Sequence, residues 1–188
     1  MWWPEMRMGI SRLLRLVVPF AAAGLLAGCF QPLYGEHSVA AGPGVRDKMA
    51  TVDVAQIPAA NGSPESRLAV NIREALLFRM GAEGKPLHPR YRLNITMNST
   101  RLSVVVDLTS GRPEVENYGI NAYFQLVDLQ TNQVVVSDRT FARASYDIPG
   151  LAQRFAQQRG LRDAENRAAE VIADSIQNRI ASYFVAGT

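Results

Sequence analysis

The chain's 188 residues suffice for one domain once an export segment is set aside, and 47% hydrophobic with 20% charged residues excludes both a disordered chain and a polytopic membrane protein. The formal charge of +3 is uneven: residues 1–28 hold Arg7, Arg12 and Arg15 against Glu5, leaving 17 basic and 16 acidic side chains in the remainder. That near balance gives no long-range pull toward nucleic acid or an acidic membrane, and one cysteine with two ungrouped histidines supplies neither an intrachain disulfide nor a structural zinc site.

In chain order, Arg12-Leu13-Leu14-Arg15 precedes an apolar run from Leu16 to Leu26. At about 11 residues it is too short to span a bilayer core of about 30 Å, and it has the length of a signal h-region. Leu26-Ala27-Gly28-Cys29 then resembles the bacterial lipobox, where small residues admit the signal peptidase and the thiol takes a diacylglyceryl group. An ordinary signal with a chance cysteine, or an uncleaved anchor, are the plainer readings. Basic start, run length, small residues and cysteine agree on lipidation. Residues 1–28 are therefore expected to be a removed signal peptide and Cys29 the acylated first residue. The Trp2-Trp3-Pro4 start is unusual, and translation from Met6 or Met8 would shorten it. Phe30, where Asp would favour inner-membrane retention in some bacteria, is a slight argument for the outer membrane.

Residues 29–49, with Pro32, Gly35, Gly42, Pro43 and Gly44, read as a lipidated tether, and 50–188 as the folded domain. A first strand is expected at about 50–57, with Val52 and Val54 on one face and Asp53 opposite. Ser63-Pro64 signals a helix start, and Leu68, Ile72, Ala75 and Leu76 form the buried stripe of a helix over 64–81 ended by Gly81 and Gly84. Tyr91, Leu93, Ile95 and Met97 alternate with Arg92, Asn94, Thr96 and Asn98, which predicts a half-buried strand. The apolar phase then moves to Leu102, Val104, Val106 and Leu108, predicting a bulge or bend near 99–101. After a turn at 109–113, a third strand over 115–129 places Ile120, Ala122, Phe124 and Leu126 together. A turn at 129–133 leads to a fourth strand over 133–146 that uses Val134, Val135 and Val136. A helix over 151–185 carries Ala169, Ile172, Ile176, Ile180 and Tyr183/Phe184, an Asp163–Arg167 pair at i,i+4, and Gly160 as a point of weakness in its first turns. Its heptads are not sustained, so packing on the sheet is preferred to a coiled coil. The order β-α-β-β-β-α implies an α+β two-layer sandwich, a mixed sheet of about four strands covered on one face by two helices.

The stretch Ala27-Gly28-Cys29-Phe30-Gln31-Pro32-Leu33-Tyr34-Gly35 resembles the opening of the LPS-assembly lipoproteins, the LptE family, although the glycine often found between Cys and Phe is missing. Tyr91-Arg92-Leu93, the hairpin from Leu126 to Val135 and Arg162-Asp163-Ala164-Glu165 also read like its members, particularly alphaproteobacterial ones. The resemblance implies a non-enzymatic outer-membrane lipoprotein, lipid-anchored at the periplasmic side. Such proteins plug and help assemble the β-barrel LptD, and they assist lipopolysaccharide delivery to the outer leaflet. LptD, lipopolysaccharide and the membrane are the implied partners, with no nucleic acid and no cofactor. A polar-skinned domain suits a polar barrel lumen.

Arginine grips phosphate in bidentate fashion, so Arg92, Arg101, Arg112, Arg139 and Arg143 are the candidate lipopolysaccharide or barrel contacts, against the plainer reading of solubilising side chains. His37 and His88 lie in loop-like contexts without a nucleophile elbow or phosphate-cradling loop, so no catalytic residue and no metal ligand is expected. Asn94-Ile95-Thr96 and Asn98-Ser99-Thr100 match glycosylation sequons and, behind a bacterial signal, read as chance in a polar strand face. Two rivals are an auxiliary lipoprotein subunit of an ABC-type lipid transporter and a periplasmic hydrolase.

Overall fold

A computed structural model describes residues 44–81, 86, 88–106, 113–148 and 154–186. A short helix, α1 (Val45–Ala50), comes first, at the C-terminal end of the segment expected as tether. The Gly44 amide donates to Asp47 Oδ2 at 3.1 Å, and Met49 is buried. Lys48 Nζ donates to the carbonyl of Phe184 at 3.3 Å. A cation at the last carbonyls of a helix matches its macrodipole, so this bond ties the chain's entry into the domain to its last helix. The rest of the tether, Cys29 and residues 1–28 lie outside the described residues.

Strand β1 (Val52–Val54) is shorter than the sequence predicts, and it pairs in parallel with β2 (Tyr91–Val106). Between them runs α2 (Pro64–Arg79). Ser63 caps it by accepting from the Ser66 amide at 3.2 Å, Pro64 fills the first helical position, and Gly81 follows at φ 69°. Strands β2, β3 (Pro113–Asp128) and β4 (Gln133–Asp147) form an antiparallel meander, so the sheet order is β1-β2-β3-β4. The β3–β4 turn carries an Asx bond, the Gln130 amide to Asp128 Oδ1 at 2.8 Å, and Asn132 at φ 56°. The 33-residue helix α3 (Arg154–Ala186) closes the chain.

Both long helices cover one face of the sheet, and the α+β two-layer arrangement is as the sequence predicts. The core joins Leu68, Ile72 and Leu76 of α2 and Ile172, Ile176 and Ile180 of α3 to Leu93, Ile95, Ile120, Phe124 and Leu126 of the strands. The two helices run parallel, since Arg67 bonds Glu165 while Arg79 bonds Asp174, and both start toward the β2–β3 turn, where Glu65 meets Ser99 and Gly160 lies beside Tyr146.

The expected bulge at 99–101 is not where the ladder shifts. Pairing is unbroken from Tyr91↔Asp128 to Ser103↔Glu116, and the irregularities fall between Ser103 and Val106. Leu102, Val104 and Val106 therefore stay exposed, at 60%, 56% and 46%. The physical reason is where the cover stops. The first turn of α2 reaches only Ser99, whose hydroxyl donates to Glu65 Oε1 at 3.0 Å. Beyond it there is no apolar surface to reward a change of phase. Val134 is likewise half exposed, since a shift between Leu126 and Val127 makes Val136 the buried valine of β4.

Candidate interaction surface

Alternation sends every second residue of β2, β3 and β4 to the face that no described helix covers. The register aligns them in rows across the strands: Asn94/Gln125/Ser137, Thr96/Tyr123/Arg139, Asn98/Asn121/Phe141, Thr100/Gly119/Arg143 and Leu102/Asn117/Ser145. No carboxylate stands in these rows. Their polar groups bond sideways along the face. The Tyr123 hydroxyl lies 2.8 Å from Ser137 Oγ and accepts from Gln125 Nε2 at 2.7 Å, and Ser145 Oγ donates to Asn117 Oδ1 at 2.7 Å. Gly119 has a steric role here, because a Cβ at that position would lie 2.9 Å from Thr100 Oγ1.

Of the five sequence-predicted arginines, Arg139 and Arg143 are brought together on this face. The Arg139 guanidinium lies 5.8 Å from the Tyr123 ring centre and that of Arg143 lies 5.9 Å from Phe141. Phe141 stands between them at 68% exposure. A shallow trough of about 630 Å³ runs beside them, lined by Thr96, Asn98, Asn121, Tyr123, Arg139 and Phe141 among others. The surface can therefore offer ring faces, amides, hydroxyls and two cations, a set suited to anionic or hydroxyl-rich ligands.

Arg92 shares the face but is committed at its edge, donating to Asp53 Oδ2 at 3.3 Å. This pairing explains why Asp53 is buried although it points away from the core. Arg101 falls in the phase of Tyr91 and Leu93, on the helix-covered side, where it stays exposed past the end of α2. Arg112 and Cys29 lie outside the described residues. His88 is exposed, and among the described residues no three His, Cys, Asp or Glu side chains gather as a metal site.

Beneath the sheet, Arg101 borders a polar cluster that the sequence does not reveal. Glu65 is held below the usual carboxylate range, first by a backbone amide and then by Ser99. Tyr146 donates to Glu116, and its pKa is pushed well above the tyrosine range by burial first and then by that bond. Burial also raises Tyr118, whose hydroxyl makes no well-formed hydrogen bond although Ser99, which donates to Glu65, is close enough to oppose that rise. Glu165, 3% exposed, accepts from Arg67 of α2.

A second group escaped the sequence reading. The first turns of α3 expose Arg154, Phe155, Arg159 and Arg162, at the same end of the molecule as Leu102, Val104 and Val106. The contacts of Gly160 with Tyr146 and of Arg167 with the Ser145 carbonyl fix that placement. The Arg-Phe-x-x-x-Arg-x-x-Arg spacing was the available signal.

Among solved structures, the chain is similar to a candidate lipoprotein of Caulobacter crescentus CB15, with 20% identity, 77% of this chain and 97% of that one covered, and a TM-score of 0.60. Rare lipoprotein B of Shewanella oneidensis is similar at 15% identity, covering 72% and 96%, with a TM-score of 0.52. A minor lipoprotein of Acinetobacter baumannii is similar at 16% identity, covering 71% and 92%, with a TM-score of 0.50. At such identities the likeness is one of fold. No curated protein sequence matches the chain. The family model LptE, lipopolysaccharide-assembly, matches residues 49–180, more than half of the sequence, and the chain belongs to that family.

Proposed function

We propose that the mature protein begins at an acylated Cys29 and sits at the periplasmic side of the outer membrane. There it plugs the LptD β-barrel, helps the barrel assemble and assists lipopolysaccharide insertion into the outer leaflet, without catalysing a reaction. Membership of the lipopolysaccharide-assembly family supports the general role. The observation that carries the finer reading is the polar centre of the open face, five rows of mostly Asn, Gln, Ser and Thr without a carboxylate, together with the Arg139–Phe141–Arg143 strip; Asp53 and Asp147 stand only at its margins. A domain inside a barrel lumen needs an outer skin that bonds well to polar walls, and this face is one. Arg139 and Arg143 are the contacts we assign to lipopolysaccharide phosphate or the barrel wall, with Arg92 tied to Asp53 as a structural pair.

A pull-down in mild detergent, read by mass spectrometry, tests this reading. We expect a cysteine-acylated chain beginning at Cys29 and an outer-membrane barrel in equal amount. Recovery with an inner-membrane permease favours an ABC-type transporter subunit instead, and labelling by a nucleophile-directed probe favours a hydrolase. Recovery as a free lipoprotein counts against both assemblies.

A further inference from the structure

The group at the start of α3 has a feature that solubility does not require. Arg154, Arg159 and Arg162 occupy the first nine residues of a helix whose first turn contains no acidic residue, and the first carboxylate is Asp163. Cations near a helix N-terminus oppose the macrodipole. Among the described residues none of the three arginines has an ion-pair or hydrogen-bond partner, whereas Arg67, Arg79, Arg90, Arg92, Arg167 and Arg179 all have one. Phe155 stands among them at 81% exposure, above a depression of about 310 Å³ that Gln158, Arg159 and Arg162 also line. The same end of the molecule exposes Leu102, Val104 and Val106.

We propose that this end of the domain docks on an anionic phospholipid bilayer, with the arginines at the headgroup phosphates and Phe155 in the interface beneath them. An acidic protein segment would answer the charges but leave Phe155 and the three aliphatic side chains in water. A bilayer interface takes both, since basic residues interleaved with large apolar ones are what binds there. The near-neutral charge of the whole domain does not oppose this, because the interaction acts within a Debye length of about 8 Å. The geometry allows it for a chain anchored at Cys29, the part of the inference that rests on the proposed function. Residues 154 and 184 are about 45 Å apart at 1.5 Å per residue. Residues 30–43 span at most about 50 Å when extended. The tether is therefore long enough for the anchor and this end of the domain to reach one leaflet, in the chain before a barrel encloses it.

The test uses the acylated chain in vesicles of phosphatidylcholine with or without phosphatidylglycerol. Cys29 is the only natural cysteine, so Gln158→Cys gives one thiol for a fluorophore, and spin-labelled lipids report its contact with the bilayer. We expect quenching in the anionic vesicles alone, and its loss at high salt. In Arg154→Glu/Arg159→Glu/Arg162→Glu the ratio of docked to undocked protein should fall at least on the order of a hundred-fold, the loss expected from removing three arginines from an anionic surface before the added repulsion. The melting temperature of that variant should change little, because among the described residues none of the three arginines makes an ion pair or hydrogen bond that the change would break. Equal quenching without phosphatidylglycerol, or none in either vesicle, overturns the proposal. So does quenching that appears only when lipopolysaccharide is added. Failure of the anchor itself reads differently, since the protein then does not float with vesicles of either kind.

Discussion

The Tyr118 hydroxyl is buried beside Ser99 without a well-formed hydrogen bond. A buried polar group without a partner costs about 1–3 kcal/mol. Tyr118→Phe should therefore leave the melting temperature unchanged or raise it, and a clear fall would mean that the hydroxyl has a partner after all. The opposite holds at Glu165. Removing Arg67 leaves a buried carboxylate unpaired, which for a fully buried pair costs about 3–5 kcal/mol. Because Arg67 is 47% exposed, water can take part of its place, and Arg67→Ala should cost about 2 kcal/mol by denaturant titration. Tyr146 sets an alkaline limit. Its pKa in the folded protein lies above the ordinary 10.0, so the unfolded chain gives up its proton first. The stability it contributes is complete below about pH 10 and is lost as pH rises toward the folded value. Thermal melts across that range should fall less steeply in Tyr146→Phe. A residual slope should remain, because Tyr118 and Tyr91 are shifted the same way.

A glycine within a helix is a weak point, yet α3 runs through Gly160 unbroken. A Cβ there would meet Tyr146 and the Asp147 carbonyl at 3.7 Å, ordinary contact distance. Glycine is thus not required by space, and Gly160→Ala should stabilise the protein by about 0.5–1 kcal/mol through the lower entropy of the unfolded chain. A destabilised variant in denaturant titration would show that the helix and β4 need a closer approach than this. What could be read from the sequence follows from where burial is one-sided. Leu93, Ile95, Ile120, Phe124 and Ile172 repeat at the period of their element, and each lies in the core. Leu102 and Val104 misled because periodicity reports apolar spacing and not what lies above it: the register runs unbroken to Ser103 and leaves Leu102 on the open face, opposite the helices. Arg139 and Arg143 could be paired from parity alone. Arg101 could not be assigned a face without locating the ladder shift. The Glu65–Ser99, Glu116–Tyr146 and Arg67–Glu165 bonds join residues 30 to 98 positions apart, beyond any local pattern.

For the whole molecule, the two readings of its assembly differ in how much surface is enclosed. A plug is surrounded by its barrel, whereas a subunit docked on a permease presents one side. The domain offers two opposed outer faces to tell them apart. Phe141 stands on the open sheet face at 68% exposure, and Phe78 stands on the outside of α2 at 87%. Neither side chain belongs to the core, so a photo-crosslinking amino acid at either place should leave folding intact. A chain seated in a lumen about as wide as itself should join the same barrel protein from both positions. A chain bound by its sheet alone should crosslink from Phe141 and not from Phe78. Crosslinking from Phe78 alone would place the contact on the helical layer and remove the Arg139–Phe141–Arg143 strip from the interface. The outcome rests on geometry and not on affinity, because each probe reports only what lies within reach of its own side chain.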